Sequence, residues 1–213
     1  MGESMEPDTE NEDDSITRVF LSGSTYERLR LQRETYFSQP LPTKLTWQIA
    51  LLGGVTLLLP LYALFPATVA EYVPSVDPAL ASPRVLLLGL VGAGIELFTA
   101  LLLVGAALYR IRRYPLTERQ ATTVLNVEDF ASYLGFGAGG AAIGLTVIYF
   151  LLGLAGGRAI ESYVASMDGI NPFAASGVGL SVAELAVFAF TGCIVLTMLR
   201  LYLQLRFVRL DEA

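Results

Sequence analysis

The sequence predicts an all-α integral membrane protein with four transmembrane helices arranged as two similar hairpins. Three observations predict it. Four apolar runs, roughly 45–65, 85–109, 130–154 and 177–199, are each long enough to cross a hydrocarbon core of ~30 Å at ~1.5 Å per residue. The chain is 54% hydrophobic and only 16% charged, and its apolar residues come in blocks rather than in stripes. Its basic residues also alternate between connections. Arg18, Arg28, Arg30, Arg33 and Lys44 precede the first run, Arg110, Arg112, Arg113 and Arg119 separate the second from the third, and Arg200, Arg206 and Arg209 follow the fourth. The other two connections hold only Arg84 and Arg158. Positive charge is retained on the cytoplasmic side, so both termini are expected there, in a multi-pass protein of the plasma membrane.

The chain divides into a tail, 1–23, and two hairpins, 24–115 and 116–213. Met1–Asp14 carries seven acids and no base, the composition of a solvated, disordered cytoplasmic tail. It has neither the basic start nor the apolar core of a signal peptide. From Ser24 the chain reads STYERLRLQRETYF, with capping-box spacing between Ser24 and Glu27. Leu29, Tyr36 and Phe37 alternate there with Arg28, Arg30 and Arg33. The segment is either an amphipathic helix on the cytoplasmic membrane surface or an exposed link, ended by Pro40 and Pro42.

Trp47 is an interfacial anchor at the start of the first span, and Pro60 is expected to kink it. The second span is apolar except for Glu96 near its middle. In the connection that follows, Thr117 and Gln120 have capping-box spacing for a short cytoplasmic helix, and Asn126 with Asp129 is positioned to cap the third span. The third span contains the GxxxG pairs Gly140/Gly144 and Gly153/Gly157. Small residues at this spacing let helix backbones approach closely in lipid, and Gly89 with Ala93 repeats the spacing on the second span as the partner face. The same face suits a homodimer.

At an offset of about 90 residues the chain matches itself in order. Gly54 and Thr56 fall on Gly144 and Thr146, and EYVPSVD at 71–77 falls on ESYVASMD at 161–168. Two hairpins running the same way through the membrane are related by an axis along its normal, a parallel repeat. Each returning span carries a Glu-Leu pair, Glu96-Leu97 and Glu184-Leu185, with Glu184 nearer the outer surface.

The candidate chemistry is therefore intramembrane. Glu96 and Glu184 are the ion- or proton-pathway candidates, with Thr56, Thr99, Thr146, Tyr149 and Thr191 at depths where they line a shared cavity. The competing reading makes Glu96 a hydrogen-bonded packing residue, enclosed by helices or satisfied by Thr191 or Thr146, and Glu184 a helix cap. Several classes are disfavoured. There is no histidine, so the commonest catalytic base and metal ligand are missing, and no phosphate, zinc, nucleophile-elbow or dinucleotide motif occurs. The acidic outer-loop residues Glu71, Asp77, Glu161 and Asp168 lack calcium-loop spacing. Cys193, the single cysteine, lies in an apolar span as an inert packing thiol. A net charge of −6 disfavours nucleic acid. Thirteen of the fourteen basic residues are Arg, a bias that with the acidic excess points to a salt-loaded cytoplasm.

The expectation is a non-enzymatic scaffold or accessory subunit without cofactor or metal, partnered by lipid and by other membrane proteins or its own copies. A small transporter or channel using Glu96 is the alternative. It ranks second because the sequence shows one deep acid and no group to pair with it.

Overall fold

The structure, a computed structural model, describes residues 24–33, 37 and 39–211. The acidic tail and the middle of the juxtamembrane segment, including Tyr36, lie outside the described residues. Among the described residues eight α-helices follow in order. They are α1 (Thr25–Leu31), α2 (Leu41–Thr56), α3 (Leu58–Ala63), α4 (Val85–Arg112), α5 (Glu118–Ser132), α6 (Gly140–Leu154), α7 (Gly157–Ser166) and α8 (Val182–Asp211). A π-helical turn, Tyr133–Gly139, joins α5 to α6 without a break.

Four of the resulting rods are long and apolar enough to cross a membrane: Leu41–Ala63, Val85–Arg112, Glu118–Leu154 and Val182–Arg209. Their outward faces carry large apolar side chains. Trp47, Phe98, Leu101, Ile148, Val187, Phe190 and Met198 are all half or more exposed, a surface that suits lipid and not water.

The spans differ from the sequence reading chiefly at their ends. The first begins at Leu41, because Pro40 and Pro42 sit at the N-cap and in the first turn, where a missing N–H costs nothing. Pro60 does interrupt this span. Its ring leaves the Thr56 carbonyl without the usual donor, and the helix breaks at Leu57 between α2 and α3. The fourth span begins at Val182 and not at 177, since Gly177 adopts a positive φ of 74° and belongs to the preceding loop.

The largest departure is the third span. Asn126 and Asp129 do not cap it, because α5 runs straight through them into the π turn and α6 as one 37-residue rod. At ~1.5 Å per residue that rod is ~55 Å long, well beyond a ~30 Å hydrocarbon core, so α5 projects from the basic end of the bundle. Its true start is the Thr117 capping box, where Thr117 Oγ1 accepts from Gln120 N and Gln120 Oε1 accepts from Thr117 N. Asn126 and Asp129 instead accept from Arg33, at 2.9 and 3.0 Å.

Helix α1 starts where the sequence places it, with Ser24 Oγ accepting from Glu27 N. It packs on α5 through Tyr26, Ala121, Val124 and Leu125 rather than lying free. At the opposite, loop end, the two connections are stitched together. Arg84 N donates to Ala174 O, Val85 N to Pro172 O, Ser176 N to Ser82 O and Val182 N to Ala81 O. Asn171 Nδ2 donates to Tyr72 O, and Gly157 N to Thr68 Oγ1. Within this cap the two matched loop segments differ in conformation: 71–77 is a series of turns, while 161–168 lies mostly in α7.

Small residues do bring the second and third spans together, in a register shifted by one position. Gly89 lies under Thr146, and Gly92 under Ile143 and the Gly139 carbonyl. Gly140 instead faces Leu51 of α2, and Gly144 faces open space. Gly153 backs onto the Phe65 ring and Gly157 onto the Thr68 backbone. A methyl group on Gly157 would run into the Thr68 carbonyl. Gly157→Ala should therefore destabilise the protein by about 1–3 kcal/mol while Gly144→Ala is neutral or better. Thermal unfolding in detergent checks the pair. Equal melting temperatures would contradict the packing of the loop cap.

Candidate functional site

Four residues after Lys44, α2 presents Gln48, and the i, i+4 spacing puts both on one face. That face meets α4 at Thr99 and Glu96, and the glycine-rich π turn closes over all three. Gln48, Glu96 and Thr99 are each 0% exposed. Gln48 Nε2 donates to Thr99 Oγ1 at 2.8 Å, and Thr99 Oγ1 donates back along its own helix to the Ile95 carbonyl at 2.9 Å. Glu96 lies 11 residues after Val85, ~16 Å along a helix of ~42 Å, so it sits deep within the span.

Glu96 packs directly against bare backbone. A Cβ on Gly139 would stand 2.7 Å from Glu96 Oε1. A Cβ on Gly135 would stand 2.8 Å from Thr99 Oγ1 and 3.3 Å from both Gln48 Nε2 and Glu96 Oε2. The π turn therefore serves two ends. Its wider i→i+5 bonding, with Gly140 N donating to Gly135 O, lets the rod pass the polar cluster, and its missing side chains let the cluster fit.

One feature of this cluster is chemically unusual. Both carboxyl oxygens of Glu96 and the amide oxygen of Gln48 are buried with no hydrogen-bond partner. Polar groups kept from water without a partner cost about 1–3 kcal/mol each, and an ionised carboxylate far more. The carboxyl needs something the side chains around it do not supply. A proton on the carboxyl removes the buried charge without calling for any further ligand.

The other candidates from the sequence lie elsewhere. Glu184 is exposed and caps α8: its carboxylate accepts from Ser181 N at 2.8 Å while Ser181 Oγ accepts from Glu184 N at 3.2 Å. It does not meet Glu96. Thr191 is exposed, and its hydroxyl is bonded to Val187 O. Thr146 is fully buried on the loop side of Glu96, with its hydroxyl turned to Ala142 O. Neither threonine satisfies Glu96. Tyr149 pairs with Tyr163 at the loop end, 2.9 Å between hydroxyls. Ala93 is buried in the core beside Gly92.

The sequence reading missed Gln48, Gly135 and Gly139 as members of the site. A lone amide four residues beyond a lysine was a visible signal. The run GFGAGGAAIG at 135–144 also contains two GxxxG registers, 135/139 and 140/144, and only the 135/139 register meets the acid.

A second polar cluster lies toward the basic end. Lys44 and Glu128 are each 3% exposed and line one small cavity with Arg30, Arg33, Phe37, Leu125 and Asp129. The Tyr26 hydroxyl sits 2.9 and 3.0 Å from the two Glu128 oxygens. Burial, reinforced by that carboxylate, pushes the Tyr26 phenol upward, so it remains a donor at any ordinary pH. Arg110 stacks over the Tyr26 ring at 3.9 Å and reaches Glu27 at 3.5 Å. Among the described residues, no three metal-ligating side chains gather.

Comparison with family models, curated proteins and solved structures finds no match to this chain.

Because Gly139 touches Glu96 while Gly137 is open to the surroundings, Gly139→Ala should cost about 1–3 kcal/mol and Gly137→Ala nothing. Adding Glu96→Ala to Gly139→Ala should recover part of that loss, a coupling that a double-mutant cycle in detergent unfolding would reveal. Strictly additive effects would mean the two groups do not press on each other.

Proposed function

We propose that this chain is a small proton-coupled membrane transporter subunit in which Glu96 is the proton-binding group. The carrying observation is the enclosed carboxyl with two unpartnered oxygens, beside the equally unpartnered Gln48 amide oxygen. An acid kept only for packing would be expected to find donors, and natural chains rarely bury one inside a span without a use for it. In a closed, dry site the carboxyl is stable as the neutral acid. Losing the proton requires the site to open, and that links protonation to conformation. The π turn is a suitable place for such movement, since its bonding is weaker than that of the flanking helices and its glycines leave the backbone free to rearrange.

The scaffold reading has its own support. Glu96 is fully enclosed, as a packing residue would be, and the aromatic cluster of Tyr62, Phe65, Phe150 and Phe173 seals the bundle on its loop side. The two readings part on flux. Purified protein in liposomes holding a pH-sensitive dye should dissipate an imposed pH gradient in the presence of its cargo or partner subunit. Glu96→Gln, which keeps the shape and removes the titrating group, should lower that flux at least about tenfold at unchanged yield. Wild-type flux in Glu96→Gln would rule out the proton site. Stoichiometric co-purification with other membrane proteins, with no flux of its own, would favour the scaffold.

Orientation belongs to the same proposal. The basic end, with Arg110, Arg112, Arg113, Arg200 and both chain ends, faces the cytoplasm, and the stitched loops face outward. The two hairpins are a parallel repeat whose outer loops have diverged. In a Cys193→Ser background, Val76→Cys should react with a membrane-impermeant maleimide added to intact cells, and Tyr114→Cys only after permeabilisation. The reverse pattern would invert the protein.

A further inference from the structure

Between the basic end and Glu96 a polar stripe runs through the bundle interior beside buried Leu45, Ala100, Leu103 and Ala131. The α2 stripe carries Lys44 and then Gln48, and the facing stripe of the long rod carries Glu128, Ser132, Gly135 and Gly139, all of them buried. The two stripes meet at both ends. Lys44 and Glu128 line one cavity, and Gln48 lies against Gly135. Ser132, fully buried between these levels, is one helical turn from Glu128 and donates to its carbonyl at 2.6 Å. At the inner end stand Thr99 and Glu96. The cavity at the outer end of the stripe has a volume of about 10 Å³, the space of about one water molecule.

On the other side of Glu96 the interior is different. Ala93, Leu52, Val55 and Ile143 are buried there around the single hydroxyl of Thr146, and the aromatic cluster follows. Among the described residues, a run of several buried polar side chains thus reaches Glu96 from the basic end, while the other side holds Thr146 among apolar residues.

We propose that protons reach Glu96 from the basic end alone, through the column Glu128–Lys44–Ser132–Gln48–Thr99, which makes the buried acid a one-sided half-channel site. This rests on the reading of Glu96 as the proton-binding group. A proton from bulk water enters at the cavity and moves along hydroxyl groups and transient water to the Glu96 carboxylate, then leaves by the same route. Each water or hydroxyl that gains an O–H bond breaks its own to pass a proton on, while Lys44 and Gln48 only line and orient the path, so no other reactant is needed. The groups facing Glu128 fit a mouth for such a path. Tyr26 and Arg30 approach from α1, Lys44 from α2, Arg110 from α4, and Asp129 from its own helix. Arg33 lines the same cavity, and Glu128 and Asp129 offset part of the positive charge of these cations.

The test is hydrogen–deuterium exchange of the Glu96 carboxyl, read by infrared spectroscopy on the full chain in phosphatidylcholine/phosphatidylglycerol vesicles. The protonated carboxyl is identified as the C=O band that disappears in Glu96→Gln, and its isotope shift is timed after transfer to deuterated buffer. Ser132→Ala and Gln48→Leu should each slow the exchange at least about tenfold, and Thr146→Val, on the sealed side, should leave it unchanged. Glu128→Gln, which keeps the acceptor for Tyr26, should also slow it. Wild-type exchange rates in Ser132→Ala and Gln48→Leu would overturn the column while the Glu96 band upholds the site itself. Equal slowing by Thr146→Val would overturn the one-sidedness. Absence of any Glu96-dependent band would overturn the underlying reading and this inference with it.

Discussion

The contact between the Glu96 carboxyl and the bare backbone of Gly135 and Gly139 sets the geometry of the whole bundle. In a hydrocarbon environment an acid is costly on the surface, so Glu96 is placed where α2, α4 and the third rod meet. Placing it there leaves no room for side chains on the rod that covers it. Gly139 and Gly135 supply the space, and the π turn allows a rod that began as α5 to continue as α6 across a crowded point. The neighbouring contacts, Gly92 under Ile143 and Gly89 under Thr146, continue the same close approach toward the loop end.

The two ends of the bundle are built on different physical terms. The loop end is held by backbone hydrogen bonds between the two connections and by edge-on aromatic packing, including Phe65 against Phe173 at 5.7 Å. Such a cap satisfies its own polar groups and resists opening. The basic end is held by side chains: the Tyr26–Glu128 bond, the Arg110 stack and the Arg33–Asp129 pair. The ion pairs Arg33–Asp129 and Arg110–Glu27 are partly exposed, individually weak and sensitive to salt, so this end is the easier one to loosen. An enclosed acid under a firm lid on one side and a polar, loosely held assembly on the other is asymmetric by construction.

That asymmetry also explains why α1 matters despite having only seven residues. It is too short to be stable alone, and its helicity depends on Tyr26 being buried against α5. Through Tyr26 and Arg110 it bridges the projecting rod to α4, so that α1 is part of the folded unit rather than a tether.

Much of the fold was readable along the chain, because hydropathy and capping are local. Four spans, the Pro60 break, the Ser24 and Thr117 caps and Glu96 as the buried acid follow from residue type and spacing alone. The continuity of α5 into α6 was not readable, since Asn126 and Asp129 look like caps until Arg33, more than ninety positions away, is seen to claim them. Glu184 and Glu96 share a Glu-Leu motif, and their different depths follow from position in the span, but only the fold shows that Glu184 bonds Ser181 while Glu96 lies against Gly139. The register of the glycine contacts was equally hidden, because 135/139 and 140/144 are the same pattern on two faces of one helix, and which face meets α4 depends on how the helices are rotated. By itself the sequence determined what each segment is, through the energetics of placing residues in lipid. Only the tertiary structure decided which polar residues meet, because that depends on helix rotation and separation, set by packing between segments far apart in the chain.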